Sequence, residues 1–183
     1  MRAVASAADV SPGLVIHHFG SKDGLRAECD AHVINILDDR KEAFLVSPEV
    51  IEPSSILAAI DEYAPLLAYL ARTLAEGGDL ARSLFDEIVA RSEEVLHKGI
   101  SNGLVIRSRD PAARARYLTL ASLAPLVSAV QLRAGDGSAD GRQVVRDLLR
   151  ELALPALELW TRGLFTDSRF IDVAISHVSA DFL

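Results

Sequence analysis

The sequence predicts an all-α fold, with a small N-terminal helix-turn-helix head and a larger helical-bundle body. Three observations carry this. Half of the 183 residues are hydrophobic yet only 5% are aromatic, and alanine and leucine dominate, which is the composition of helices packed on helices. A capping side chain followed by proline, a helix start signal, occurs at Ser11-Pro12 and again at Asp110-Pro111. No stretch reads as a strand, and the apolar residues recur at helical spacing instead.

The elements follow in order. Arg2 to Asp9 is small and helix-favouring, with Val4, Ala5 and Ala8 on one face. Ser11 caps a short helix from Pro12 that runs out at Gly20, with Val15 and Phe19 four apart on its apolar side. Leu14, Ile16, His17 and His18 point elsewhere. An isolated helix of this length is marginal, so neighbours must hold its one apolar face while the other side is presented outward. Ser21 caps the next helix, to about Leu45, with Asp23 in its first turn and Leu25, Cys29, Val33, Ile36 and Leu37 on its apolar side. Ser47-Pro48 and Glu52-Pro53 mark a loop. A helix then runs from Ser54 to Tyr63, ended or kinked by Pro65, and a further one from Pro65 to Ala75 stops at Gly77-Gly78. Asp79 caps the next, along Leu80, Leu84, Ile88, Val95 and Leu96, which ends near Gly99 or Gly103. Asp110 to Arg133, kinked at Pro125, and Arg142 to Arg162, interrupted at Pro155, are long helices flanking a flexible Gly135–Gly141 stretch. A last helix spans Asp167 to Phe182.

Helix, tight turn and short helix is the layout in which the second helix enters a DNA major groove. The run Val10-Ser-Pro-Gly-Leu-Val, followed by His18-Phe-Gly-Ser-Lys-Asp-Gly-Leu25, resembles the DNA-reading segment of the TetR family of transcriptional regulators; the likeness is close over residues 2–26 and extends to the all-helical layout beyond. The resemblance implies a DNA-binding head with its connecting helix over residues 1–45, and a ligand-binding and dimerisation domain over 46–183. It implies contacts to DNA from Ser11, Pro12, Gly13, Leu14, Ile16, His17, His18 and Lys22. In this set Ser11 and the helix N-terminus meet phosphate, Pro12 and Gly13 allow close approach, His17 reaches bases or phosphate, and Lys22 pairs with the backbone. The family places one more helix ahead of the segment that starts here at Met1, so the head is expected to be incomplete at its N-terminus. It also has tyrosine, in a position resembling a phosphate contact, where this chain has Ile16, which cannot donate a hydrogen bond. The expected function is a repressor released from a double-stranded operator by a small hydrophobic inducer. The alternative is a helical ligand-binding or protein-binding dimer that no longer binds DNA.

Charge divides along the same line. The formal net charge is −7, but residues 1–26 carry Arg2, Lys22 and Arg26 against Asp9 and Asp23, a net of +1, which leaves −8 on the remainder. The helices at 110–133 and 142–162 are apolar over wide arcs: Leu118, Leu120, Leu123, Leu126, Val127 and Val130 on one, and Val145, Leu148, Leu149, Leu152, Leu157 and Leu159 on the other. One apolar face suffices to join a core, so the surplus is expected to meet a second copy in a homodimer. Tyr63, Tyr69, Phe85, His97, Tyr117 and Trp160, polar or aromatic among apolar helical positions, are the candidate ligand-pocket residues.

Other chemistries find little support. Cys29 is the only cysteine, so no intrachain disulfide forms, and with no signal peptide and no apolar run of membrane-spanning length the expected location is the cytoplasm. Cys29 and His32 sit on adjacent helical turns, but structural zinc needs four convergent ligands and His17 and His18 cannot both face one way; no metal and no cofactor is expected. The Asp136–Gly141 run mimics the opening of a calcium loop, but the twelfth position is Asp147 where a bidentate glutamate is needed. No phosphate-binding glycine loop, nucleophile turn or paired titratable residues point to an enzyme.

Overall fold

The computed structural model describes residues 1–46, 53–133 and 140–178. Among them lie eight helices and no strand: α1 (Arg2–Ala7), α2 (Pro12–Phe19), α3 (Lys22–Val46), α4 (Pro53–Glu76), α5 (Gly78–Ser101), α6 (Pro111–Arg133), α7 (Gly141–Arg162) and α8 (Arg169–Val178). The chain divides into two compact units, Met1–Leu148 and Leu149–Leu183, with the division inside α7.

In the first unit α1 packs on α2 and α2 on α3, while α3 lies against α4 and α5 and α6 packs on both of those. The shared core holds Val33 and Ile34 from α3, Leu70 from α4, Leu84, Ile88 and Val95 from α5, and Leu123 and Leu126 from α6. Ala64, Ala68, Ala71, Ala81 and Ala115 are buried between them, small enough to let the helix backbones approach. Burying each large aliphatic side chain contributes about 1.5–3 kcal/mol, which holds helices that propensity alone would not. The first turns of α7 join this unit through buried Val144 and Val145 and a 2.8 Å ion pair from Arg146 to Asp61 of α4.

Several expected boundaries and faces shift. The helices predicted on either side of Pro65 are one, α4, and α6 and α7 likewise continue through Pro125 and Pro155. Each proline removes one hydrogen bond, but Pro65 and Pro155 are exposed, so that loss falls at the solvent side while packing holds the rest of the helix. On α1 only Ala5 is buried, and Val4 and Ala8 are exposed. On α3 Cys29 is exposed, and Asp30 and Ile34 take the inward places. On α5 Ala81, not Leu80, begins the buried line, and Gly77 with φ 69° replaces Asp79 as the N-cap. The predicted cap at Asp110 is present, its Oδ1 accepting from the Ala113 N–H at 2.9 Å. The Ser47–Glu52 part of the predicted loop, most of the Gly135–Gly141 run with its calcium-like pattern, and the end of the last predicted helix lie outside the described residues.

In the second unit Asp167 opens α8, its carboxylate accepting from the Arg169 N–H at 2.9 Å and pairing with the Arg169 guanidinium at 2.7 Å. That pairing holds the Asp167 carboxyl below its ordinary value. The Phe165 and Phe170 rings stack with centroids 4.3 Å apart.

Candidate nucleic-acid interface

The interface is built from local bonds. The Val10 N–H reaches back to the Ala5 carbonyl at 2.9 Å, closing the turn after α1 with Asp9 at φ 54°, a left-handed conformation that aspartate tolerates. Ser11, extended, accepts the Leu14 N–H on its hydroxyl at 3.1 Å, and Pro12 fills the first helical position, where no donor is needed. Gly20 ends α2 at φ 73° with its N–H on the Ile16 carbonyl, and Ser21 at once caps α3 through the Gly24 N–H at 2.9 Å. A Cβ on Gly24 would fall 2.1 Å from the Phe19 carbonyl oxygen, so this glycine lets α3 start hard against the end of α2.

Val15 is 5% exposed and Phe19 half-buried, which turns the opposite side of α2 outward. Pro12, Gly13, Leu14, Ile16, His17 and His18 are all exposed, as are Ser11 before them and Lys22 at the start of α3. Gly13 meets nothing closer than Ser11 Oγ at 3.9 Å from where a Cβ would stand, so the protein's own packing does not require it; the space it leaves is in front of the helix. The His18 ring sits edge-on to Phe19 with centroids 4.7 Å apart, on the shoulder of the face rather than its centre. All eight residues singled out in the sequence are therefore exposed on or beside α2.

The charge of the head is smaller than the sequence implies. Arg26 is held by Glu76 at the end of α4 at 2.7 Å, and this hydrogen bond raises the guanidinium pKa further. Arg2 and Lys22 are left as the cations of this segment outside any ion pair among the described residues.

Arg26 begins a series that sequence reasoning did not find. At four-residue steps along α3, Arg26 bonds Glu76, Asp30 accepts from the Tyr69 hydroxyl at 2.7 Å, Ile34 is buried, Asp38 meets Arg91 at 3.4 Å and Glu42 meets Lys98 at 2.6 Å. Such a ridge drifts about 40° per step around a 3.6-residue helix, which carries it from α4 partners to α5 partners. Arg91 also bonds Asn35 at 2.9 Å and Glu87 at 3.1 Å. The polar positions at i, i+4, i+12 and i+16 were the available signal.

Burial, and then the bond to Asp30, push the Tyr69 phenol well above its ordinary value. A raised pKa stabilises the fold fully below the unfolded value near 10 and loses that contribution as pH rises through the folded value. The phenol therefore stays a donor at all physiological pH, and the link does not switch with pH. Tyr69→Phe leaves Asp30, 6% exposed, without this donor, and is expected to cost about 1–2 kcal/mol in urea unfolding. A change within error would mean the bond is replaced.

The six candidate ligand residues are spread over α4 to α7. Tyr63 is buried, Tyr69 faces Asp30, and Phe85 is half-buried with the Arg116 guanidinium 5.1 Å from its ring centroid. His97, Tyr117 and, in the second unit, Trp160 are exposed. Cys29 and His32 stand on adjacent turns of α3, and no group of three or more His, Cys, Asp or Glu placed to hold a metal occurs among the described residues. No helix among the described residues is long and apolar enough to cross a membrane.

Known proteins share both parts of this chain. A family model described as bacterial regulatory proteins, tetR family, matches residues 1–29, and one described as tetracyclin repressor-like, C-terminal domain, matches residues 61–166. The chain is 41% identical over 167 residues to the HTH-type transcriptional regulatory protein RaaS of Mycobacterium tuberculosis, an overlap of 91% of this chain and 78% of that one.

Proposed function

The chain belongs to the TetR family of DNA-binding transcriptional regulators, and from that premise we propose that it acts as a homodimeric cytoplasmic repressor released from its operator by a small hydrophobic ligand. The observation that carries this reading is the exposed face of α2, capped at Ser11 and anchored by Val15. In this reading the head and connecting helix, 1–45, dock on DNA and the body, 46–183, binds the second copy and the ligand. The Ser11 end of α2 meets phosphate, where the helix dipole and free N–H groups favour an anion. Gly13 admits the backbone closely, His17 reaches base edges or phosphate, and Lys22 neutralises a phosphate at the start of α3.

Two copies are needed to read a near-palindromic site, with heads roughly 34–36 Å apart or a multiple of that. Leu120 and Leu132 on α6, and Leu152, Leu157 and Leu159 on α7, stay exposed in the single chain and supply apolar surface suited to a partner. A ligand near Tyr63, Tyr69 and Phe85, with His97 and Tyr117 as further candidates, weakens DNA binding only as far as it prefers the arrangement whose heads are wrongly spaced. The α3 ridge supports this route, since it ties the reading head to α4 and α5 through named bonds. The test is a gel shift on the DNA upstream of the protein's own gene. A retarded band at about 50 mM salt that fades by about 200 mM is expected. No band at the lower salt overturns the reading.

A further inference from the structure

Two of the exposed side chains of α2 are large aliphatics, Leu14 at 53% and Ile16 at 50% exposure. With Val15 and Phe19 inward and about 100° per residue, His17 points furthest out and Gly13 lies one turn before it. Leu14 and Ile16 stand on opposite sides of that line. The polar groups of this face are few. Ser11 lies at the start of the helix, its hydroxyl oxygen accepting the Leu14 N–H, and the His18 ring sits at the shoulder edge-on to Phe19, which leaves the His17 imidazole as the polar side chain at the centre.

A face so poor in donors and acceptors has little means of telling base pairs apart by hydrogen bonds. The major-groove edge offers one apolar group, the C5-methyl of thymine. We infer that Leu14 and Ile16 are specificity-determining residues that read thymine methyl groups on either side of the base pair met by His17. The inference rests on the reading of α2 as the helix that enters the groove. It also gives the Ile16 position a role in sequence choice in place of a phosphate contact.

Deoxyuridine substitution tests this directly, because it removes the methyl and leaves every hydrogen-bonding group of the base. An operator is first selected from a randomised duplex library with the unaltered protein, and each thymine is then replaced symmetrically in both half-sites. One or two positions per half-site are expected to weaken binding about fourfold for each methyl lost, or about fifteenfold with both half-sites changed, the scale of one buried methyl in each half-site. Ile16→Ala should lose the sensitivity at one position and keep the other, with Leu14→Ala showing the reverse. Both side chains are exposed, so thermal unfolding of these variants should match the parent. Parent binding with no deoxyuridine effect at any position overturns the inference and leaves DNA binding standing; recovery of no bound duplex overturns both.

Discussion

Val15→Asp is expected to abolish operator retardation while the protein stays folded from α3 onward. Val15 is the one buried residue of α2, and the other covered apolar residues of the head are few: Ala5, half-buried Phe19 and half-buried Leu25. A carboxylate placed there without a partner costs several kcal/mol, more than so small a core can offset. An eight-residue helix has no stability of its own, so α2 detaches and α1 with it. The body core from Val33 to Val145 is untouched, so far-UV circular dichroism should lose only the share of the six residues of α1 and the eight of α2. Val15→Thr, similar in shape with a hydroxyl in place of one methyl, should fall between the parent and Val15→Asp. A full-strength band from Val15→Asp would show that α2 is held in some other way.

How much of this is legible in the sequence depends on the range of each interaction. The caps at Ser11, Ser21 and Asp110 are bonds that close within three residues, so residue type and position suffice to place them. The outward set on α2 follows from one apolar pair, Val15 and Phe19, and the period of the helix. The prolines mislead because their local cost, about 3 kcal/mol in a helix interior, stands in the sequence without the packing of the whole helix, which only the fold supplies. Asp30 escapes notice for a similar reason. A carboxylate reads as a surface residue until its partner is known, and Tyr69 lies 39 residues away. Arg26 reads as a free cation because Glu76 lies 50 residues off. The same holds for the six body candidates: residue type marks them as unusual for a helical core, but only tertiary placement separates buried Tyr63 from exposed Tyr117.

The pairing of Arg26 sharpens the second large effect, because it leaves Lys22 as one of two cations on which the head can draw. Lys22→Glu is expected to weaken operator binding about a hundredfold at about 100 mM salt. Removing one phosphate neutralisation lowers the slope of log K against log salt by about 0.9, and a dimer forfeits two, which near this ionic strength is about two decades. Repulsion from the new carboxylate adds to that. The same substitution should not destabilise the protein, since an acid in the first turn of α3 joins Asp23 at the positive end of the helix dipole and contributes about 0.3–1 kcal/mol. Affinity and stability then move in opposite directions, which separates a DNA contact from a folding defect. Arg26→Gln serves as the comparison: its charge is spent on Glu76, so the salt slope should stay near the parent value while the α3–α4 link weakens. Equal changes in slope from Lys22→Glu and Arg26→Gln would mean that the charge of the head acts as a diffuse field and that Lys22 holds no particular phosphate.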